Sequence, residues 1–174
     1  MLLFGVVINT SYANDVMPPM NQTTSVVPSR PERAHWMSLL AKAPLSVMTQ
    51  AAAAYGVLPS YLWLRAPEVG LAMLRGRTGG TGAQFNIGEM SVTRCALRLD
   101  TGEMGVAYIT GRNTRHAELA AVFDALLQSD AHPKVRETVL QPIEAALAAQ
   151  YAQTAANAEA TKVDFMTMVR GEDA

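Results

Sequence analysis

The sequence predicts an α+β fold: a small antiparallel β-sheet flanked by N-terminal and C-terminal α-helices. Three observations predict it. Apolar residues recur at helical spacing on both sides of a central segment. Within that segment the period changes to alternation, as in half-buried strands. The strands follow one another through links too short for a crossover, so they pair antiparallel.

The first helix is expected near Ser29 and Pro31, both suited to a first turn, with Trp36, Leu39, Leu40 and Ala43 on one face. Pro44 interrupts it. Leu45 to Tyr55 reads as a second helix that stops at Gly56, a good residue just past a helix end. "YLWLRAPEVGLAMLRGR" then places Val69, Leu71 and Met73 on one side and Gly70, Ala72 and Leu74 on the other. "MSVTRCALRLD" (Met90–Asp100) alternates again, with Thr93, Cys95, Leu97 and Leu99 on one face. Thr101–Glu103 is a hairpin-type turn, and Met104–Thr110 is the returning strand.

The remainder reads as helical. Asn113 or Thr114 caps a helix whose apolar stripe is Leu119, Val122, Phe123, Leu126 and Leu127. Pro133 opens another, expected to end near Pro142, because an interior proline breaks a helix. From Pro142 to about Ala160 the chain is alanine-rich, with nine alanines among residues 145–160. Such a helix forms readily but buries little area. It is either a surface helix or one packed closely on something else.

Length and composition bound the rest. The 174 residues suit one domain, and 49% apolar with 17% charged residues is enough to build a core. A net charge of −1 argues against general nucleic-acid affinity. Cys95 is the sole cysteine and the three histidines are scattered, so no metal-ligand spacing exists and a reducing, cytoplasmic setting is expected. Residues 1–30 carry no Lys or Arg before Arg30. They are expected to be a leader outside the fold, or a start placed upstream of the true one at Met17 or Met20. Leu2–Ile8 is too short to cross a bilayer. Residues 31–174 form the expected single domain.

Two segments invite a functional reading. "LRGRTGGTGAQFNIGEMSVTRC" (Leu74–Cys95) holds Gly76, Gly79, Gly80 and Gly82, yet it fits neither a Walker loop nor a dinucleotide fingerprint. Residues 65–115 contain seven arginines against four acids. Arg75, Arg77, Arg94 and Arg98 share strand faces in pairs, and pairing of the strands could bring them together around an anion, with Gly79, Gly80 and Gly82 offering backbone N–H groups. Salt bridges and turn geometry are the alternative account. Cys95 reads as a core residue and His116 as a surface or capping residue. The terminal "VDFMTMVRGEDA" is apolar on both strand faces. Phe165, Met166, Met168, Val169 and Arg170 are therefore candidates for docking on a partner, with insertion into the chain's own sheet the alternative.

"HWMSLLA" (His35–Ala41), the glycine-rich segment, "GRNTRHAELAAVFDALLQ" (Gly111–Gln128) and "VDFMTMVRGED" (Val163–Asp173) together closely resemble the PhnG family, the small subunit of the bacterial carbon–phosphorus lyase system. The resemblance runs in order from about Pro31 to the C-terminus. It implies a cytoplasmic core complex with PhnH, PhnI and PhnJ. It further implies a part in making α-D-ribose 1-methylphosphonate 5-triphosphate from ATP and methylphosphonate, with release of adenine. S-adenosylmethionine and the iron–sulfur cluster would belong to a partner, and no cofactor to this subunit alone. No catalytic residue set is implied for this subunit. A direct contribution of the arginine- and glycine-rich surface to a phosphate site is the alternative to a mainly structural role.

Overall fold

A computed structural model of the protein describes residues 28–163. Helix α1 (Arg30–Lys42) carries a proline in its first turn, and Pro44 separates it from α2 (Leu45–Tyr55), which stops at Gly56 with φ +98°. Strands β1 (Tyr61–Arg77), β2 (Gln84–Leu99) and β3 (Met104–Thr110) form one antiparallel sheet in the order β1-β2-β3. Helix α3 (Thr114–Leu126) follows, then the short α4 (His132–Val135) and α5 (Gln141–Ala160), joined through a π-helical turn at Arg136–Leu140. The α+β class expected from the alternation holds.

The core sits between one face of the sheet and the helices. Thr93, Cys95, Leu97 and Leu99 of β2 point to this face, as do Ala107 and Ile109 of β3, and all six are buried. Helix α3 lies across them and is buried almost throughout, with Leu119, Val122 and Phe123 at zero exposure. Trp36 and Leu40 of α1, Met48 of α2, and Val135, Val139 and Ile143 complete the packing. Gly105 lets β3 run against α3, because a Cβ there would overlap the Ala121 carbonyl oxygen.

Two expectations about the helices need correction. Pro142 does not end a helix. It sits in the first turn of α5, just after the π-helical turn. A proline lacks the N–H and its ring crowds the carbonyl four residues back. The wider π turn is a local geometry that accommodates such a break without stopping the chain's helical course. His116 is not a surface residue. It is 8% exposed, and its Nε2 lies 2.8 Å from the Leu40 carbonyl oxygen, tying α3 to α1. The capping role falls to Asn113, whose side-chain oxygen accepts from the His116 backbone N–H at 2.9 Å.

β2 begins at Gln84, well before the expected Met90, and β1 continues to Arg77. The two therefore make a long hairpin, while β3 pairs only with Val92–Arg98. β1 carries register shifts between Trp63 and Arg65 and between Arg65 and Glu68, around Pro67. A proline is tolerated there because β1 is an edge strand.

Candidate functional site

The glycine-rich segment is the end of the long hairpin. Its turn is a single 3-10 helical turn at Thr78–Gly80, in which Gly79 and Gly80 take φ of +57° and +82°. Gly82 is needed for space, since a Cβ there would lie 2.7 Å from the Thr78 carbonyl oxygen. That oxygen accepts from the Gly82 N–H at 2.8 Å, and the Arg77 guanidinium donates to the Gly82 carbonyl oxygen at 3.1 Å. Two of these glycines are thus explained by left-handed backbone and one by close approach.

The sheet does not gather the four arginines into one cluster. Arg98 pairs in register with Leu62 and Arg94 with Glu68, whereas Arg77 closes the far end of β1 opposite Gln84. At about 3.3 Å per residue the far end lies roughly 30–50 Å from those positions along the strand. Arg94 donates to Glu68 at 2.7 Å, and Arg65 approaches the same carboxylate at 3.6 Å. The bond to Glu68, with help from Tyr108, raises the Arg94 pKa further above its already high value. Arg75, Arg77 and Arg98 form no ion pair among the described residues. Salt bridging therefore accounts for one of the four.

Cys95 and His116 do not form a thiol–imidazole pair. The Cys95 thiol points to the Ala117 carbonyl oxygen at 3.2 Å, and the imidazole is committed to Leu40. Burial, with the Glu118 charge adding to it, pushes the thiol up to about 11. A thiolate nucleophile is not available there near neutral pH. Beside it, the Tyr61 hydroxyl donates to Glu118 at 2.6 Å, and Arg115 holds the same carboxylate at 2.7 Å. Burial first, then this carboxylate, pushes Tyr61 up to about 12. Both groups hold their protons more tightly in the folded chain than in the unfolded one. Their stabilising contribution is therefore complete below pH 9 and is lost as pH rises, through about 9–11 for Cys95 and about 10–12 for Tyr61. At pH 8 a thiol reagent such as dithiobis-nitrobenzoate should label the native protein about 100-fold more slowly than the urea-unfolded chain. Rapid stoichiometric labelling without denaturant would contradict this placement.

Sequence reasoning missed Asp124, a fully buried carboxylate at the join of α1, β3 and α3. It accepts from Arg33 at 2.8 and 3.2 Å, from the Trp36 indole at 2.9 Å and from the Val106 backbone N–H at 3.0 Å. It looks like a helix-surface acid in the sequence, because no pattern announces that its partners lie on two other elements. Next to it opens a cleft of about 610 Å³ lined by Arg30, Arg33, Met37, Met104, Val106 and Gln128. Also missed was the apolar surface of the long hairpin. Val69, Leu71, Met73, Leu74, Phe85 and Ile87 are all exposed. The signal was present in β1, where apolar residues occupy both alternating positions over a strand far longer than usual.

The tail candidates Phe165, Met166, Met168, Val169 and Arg170 lie outside the described residues, as does most of the expected leader. No group of three His, Cys, Asp or Glu side chains among the described residues is arranged to hold a metal. None of the helices described is long and apolar enough to cross a membrane.

A three-stranded sheet with helices packed on one face, a long apolar hairpin and a network of buried polar ties together define a small α+β domain. The model of the phosphonate metabolism protein PhnG matches residues 31–171. A relative from Rhizobium meliloti (strain 1021), alpha-D-ribose 1-methylphosphonate 5-triphosphate synthase subunit PhnG, is 44% identical over 142 residues, covering 82% of this chain and 91% of the relative. The chain belongs to the PhnG family.

Proposed function

We propose that the chain is a subunit of an α-D-ribose 1-methylphosphonate 5-triphosphate synthase, working in the cytoplasm within a carbon–phosphorus lyase core complex. The observation that carries this reading is the 44% identity running through 91% of a protein named as that subunit. The assembly transfers the ribose 5-triphosphate of ATP to a phosphonate and releases adenine. Its other members are the PhnI, PhnH and PhnJ subunits. This subunit's part is mainly structural. In this reading an iron–sulfur cluster and S-adenosylmethionine belong to a partner, and the sole cysteine of this chain agrees with that for the cluster. Residues 31–174 act as one domain, with the apolar C-terminal tail docking on a neighbour.

Co-expression tests the proposal. A tagged copy produced with PhnI should be soluble and should elute with it at a fixed ratio, whereas the chain alone should be poorly soluble. Turnover of ATP and methylphosphonate by the purified chain with nothing added would end the structural reading. A well-behaved monomer that ignores PhnI would end the subunit reading.

A second reading is favoured by Arg75, Arg77 and Arg98, which have no carboxylate partner among the described residues. In it, Arg75 and Arg77 with Gly79, Gly80 and Gly82 at the turn, or Arg94 and Arg98 at the base of the sheet, contribute a phosphate-binding surface. The distance between the two groups makes these separate sites. Arg77→Ala or Arg98→Ala should then weaken ATP binding by the assembled complex about tenfold with assembly intact. Unchanged ATP binding removes this reading.

A further inference from the structure

The structure leaves a two-stranded ribbon standing clear of the rest of the sheet. β3 pairs with β2 only over Val92–Arg98, so among the described residues Leu71–Arg77 and Gln84–Ser91 have each other and no third strand. In water a lone two-stranded ribbon is marginal at best. This one also exposes apolar side chains on both faces. Leu71 and Met73 share the face that carries Thr93, and Leu71 is 66% exposed. Leu74 and Phe85 occupy the opposite face, where Ile87, 64% exposed, leans over Gly76. A ribbon greasy on one side would lie on a flat surface. A ribbon greasy on both sides is suited to insertion.

Charge narrows the occupant. From Val69 to Gly88 the chain has no acid, and Arg75 and Arg77 stand near the tip. Paired tip to tip, a second copy of the ribbon would bring arginines against arginines, because the ribbon's one acid, Glu89, sits opposite Met73 nearer the base. The complementary surface has apolar walls and carboxylates at its floor. The ribbon is about 25 Å long and about 10 Å wide. Enveloped on two faces, it buries on the order of 800 Å² per partner, the size of an ordinary specific interface.

We infer that the hairpin Leu71–Ser91 is an insertion arm that docks into an apolar, acid-floored groove of a different protein subunit. This rests on the subunit reading above and adds the element that makes the contact. Apolar side chains on both strands fill the groove, and Arg75 and Arg77 read the acids at its end.

The test compares the unaltered chain with three variants, each co-expressed with PhnI, PhnH and PhnJ and run on size exclusion. In the first variant Met73–Glu89 is replaced by Asn-Gly, a two-residue turn that joins the in-register pair Ala72 and Met90. The second is Phe85→Ser with Ile87→Ser, and the third is Arg75→Glu with Arg77→Glu. The side chains altered in the second and third variants are exposed, so their circular dichroism and Tm should match the unaltered chain. Binding to the partner subunits should fall at least tenfold in each variant, and below detection in the first. If the unaltered chain assembles and the shortened and serine variants assemble equally well, the arm is not the contact and the inference is wrong while the subunit reading survives. If the unaltered chain does not assemble, both fail. Three other results also overturn the inference. One is self-association of the chain alone that the shortened variant abolishes. Another is arm-dependent binding to phosphatidylcholine–phosphatidylserine vesicles. The last is a glutamate variant that assembles normally but no longer binds ATP.

Discussion

Gly105→Ala is expected to cost about 3 kcal/mol or more, or to prevent folding altogether. The new methyl group would overlap the Ala121 carbonyl oxygen, with the carbonyl carbon at 2.9 Å and the Ala125 Cβ at 3.0 Å. Backbone does not step aside as a flexible side chain does. Ala121 and Ala125 are both fully buried, with the rest of α3 packed around them, so the helix could retreat only by lifting off the sheet. Gly70→Ala supplies the control. It lies in β1, on the opposite edge of the sheet, with nothing within 4 Å of its added Cβ, and it should change stability by less than about 1 kcal/mol. Urea unfolding of the two variants measures the contrast, and equal midpoints would refute the close approach of β3 and α3.

Asp124→Ala is expected to cost about 3–5 kcal/mol, a large part of the stability of a domain this size. The substitution does more than delete one ion pair. It leaves the Trp36 indole N–H and the Val106 N–H without an acceptor inside the fold and frees Arg33 from a carboxylate at zero exposure. Each unmet buried donor carries its own desolvation cost. Asp124→Asn should fall between, because its amide nitrogen must face a donor at one of the sites its oxygen vacates. Thermal unfolding ranks the series, and Trp36 fluorescence should shift to the red as its burial loosens. An alanine variant within 1 kcal/mol of the unaltered chain would show that the network contributes little.

These two residues also mark where the sequence was legible and where it was not. Alternation in β2 and β3 placed Cys95, Leu97 and Leu99 on the core face, since a one-residue error would have turned every side chain outward. Pro31, Pro44 and Gly56 punctuated the first two helices through rules that depend only on local backbone. Gly105 lay in a segment correctly read as a strand, but a single glycine there says only that something comes near, not what. Asp124 depends on Arg33 and Trp36, some ninety residues away in sequence, and no local period carries such information. Pro142 was misread because the rule for interior prolines ignores the π turn that precedes it.

The candidate site followed the same division. The turn glycines and the face shared by Arg75 and Arg77 were visible from spacing alone. Their separation from Arg94 and Arg98 was not, because it follows from the length of the hairpin. β2 was expected to begin at Met90, and the residues before it were read as connection. Had Phe85 and Ile87 been assigned to the strand, the two-sided apolar ribbon would have been apparent beside the similar pattern at Phe165–Val169.

The last helix has a thermal consequence of its own. Ile143 and Leu147 anchor its root in the core, while every residue from Ala148 to Ala160 is exposed. Its root supplies the costly nucleus that a short isolated peptide lacks, Ala148 and Tyr151 still border a cleft against α1, and alanine propensity propagates the turns beyond them. The outer turns are therefore a spike that melts from its far end as the solution warms. The outline of the molecule shortens by degrees at temperatures that leave its centre untouched.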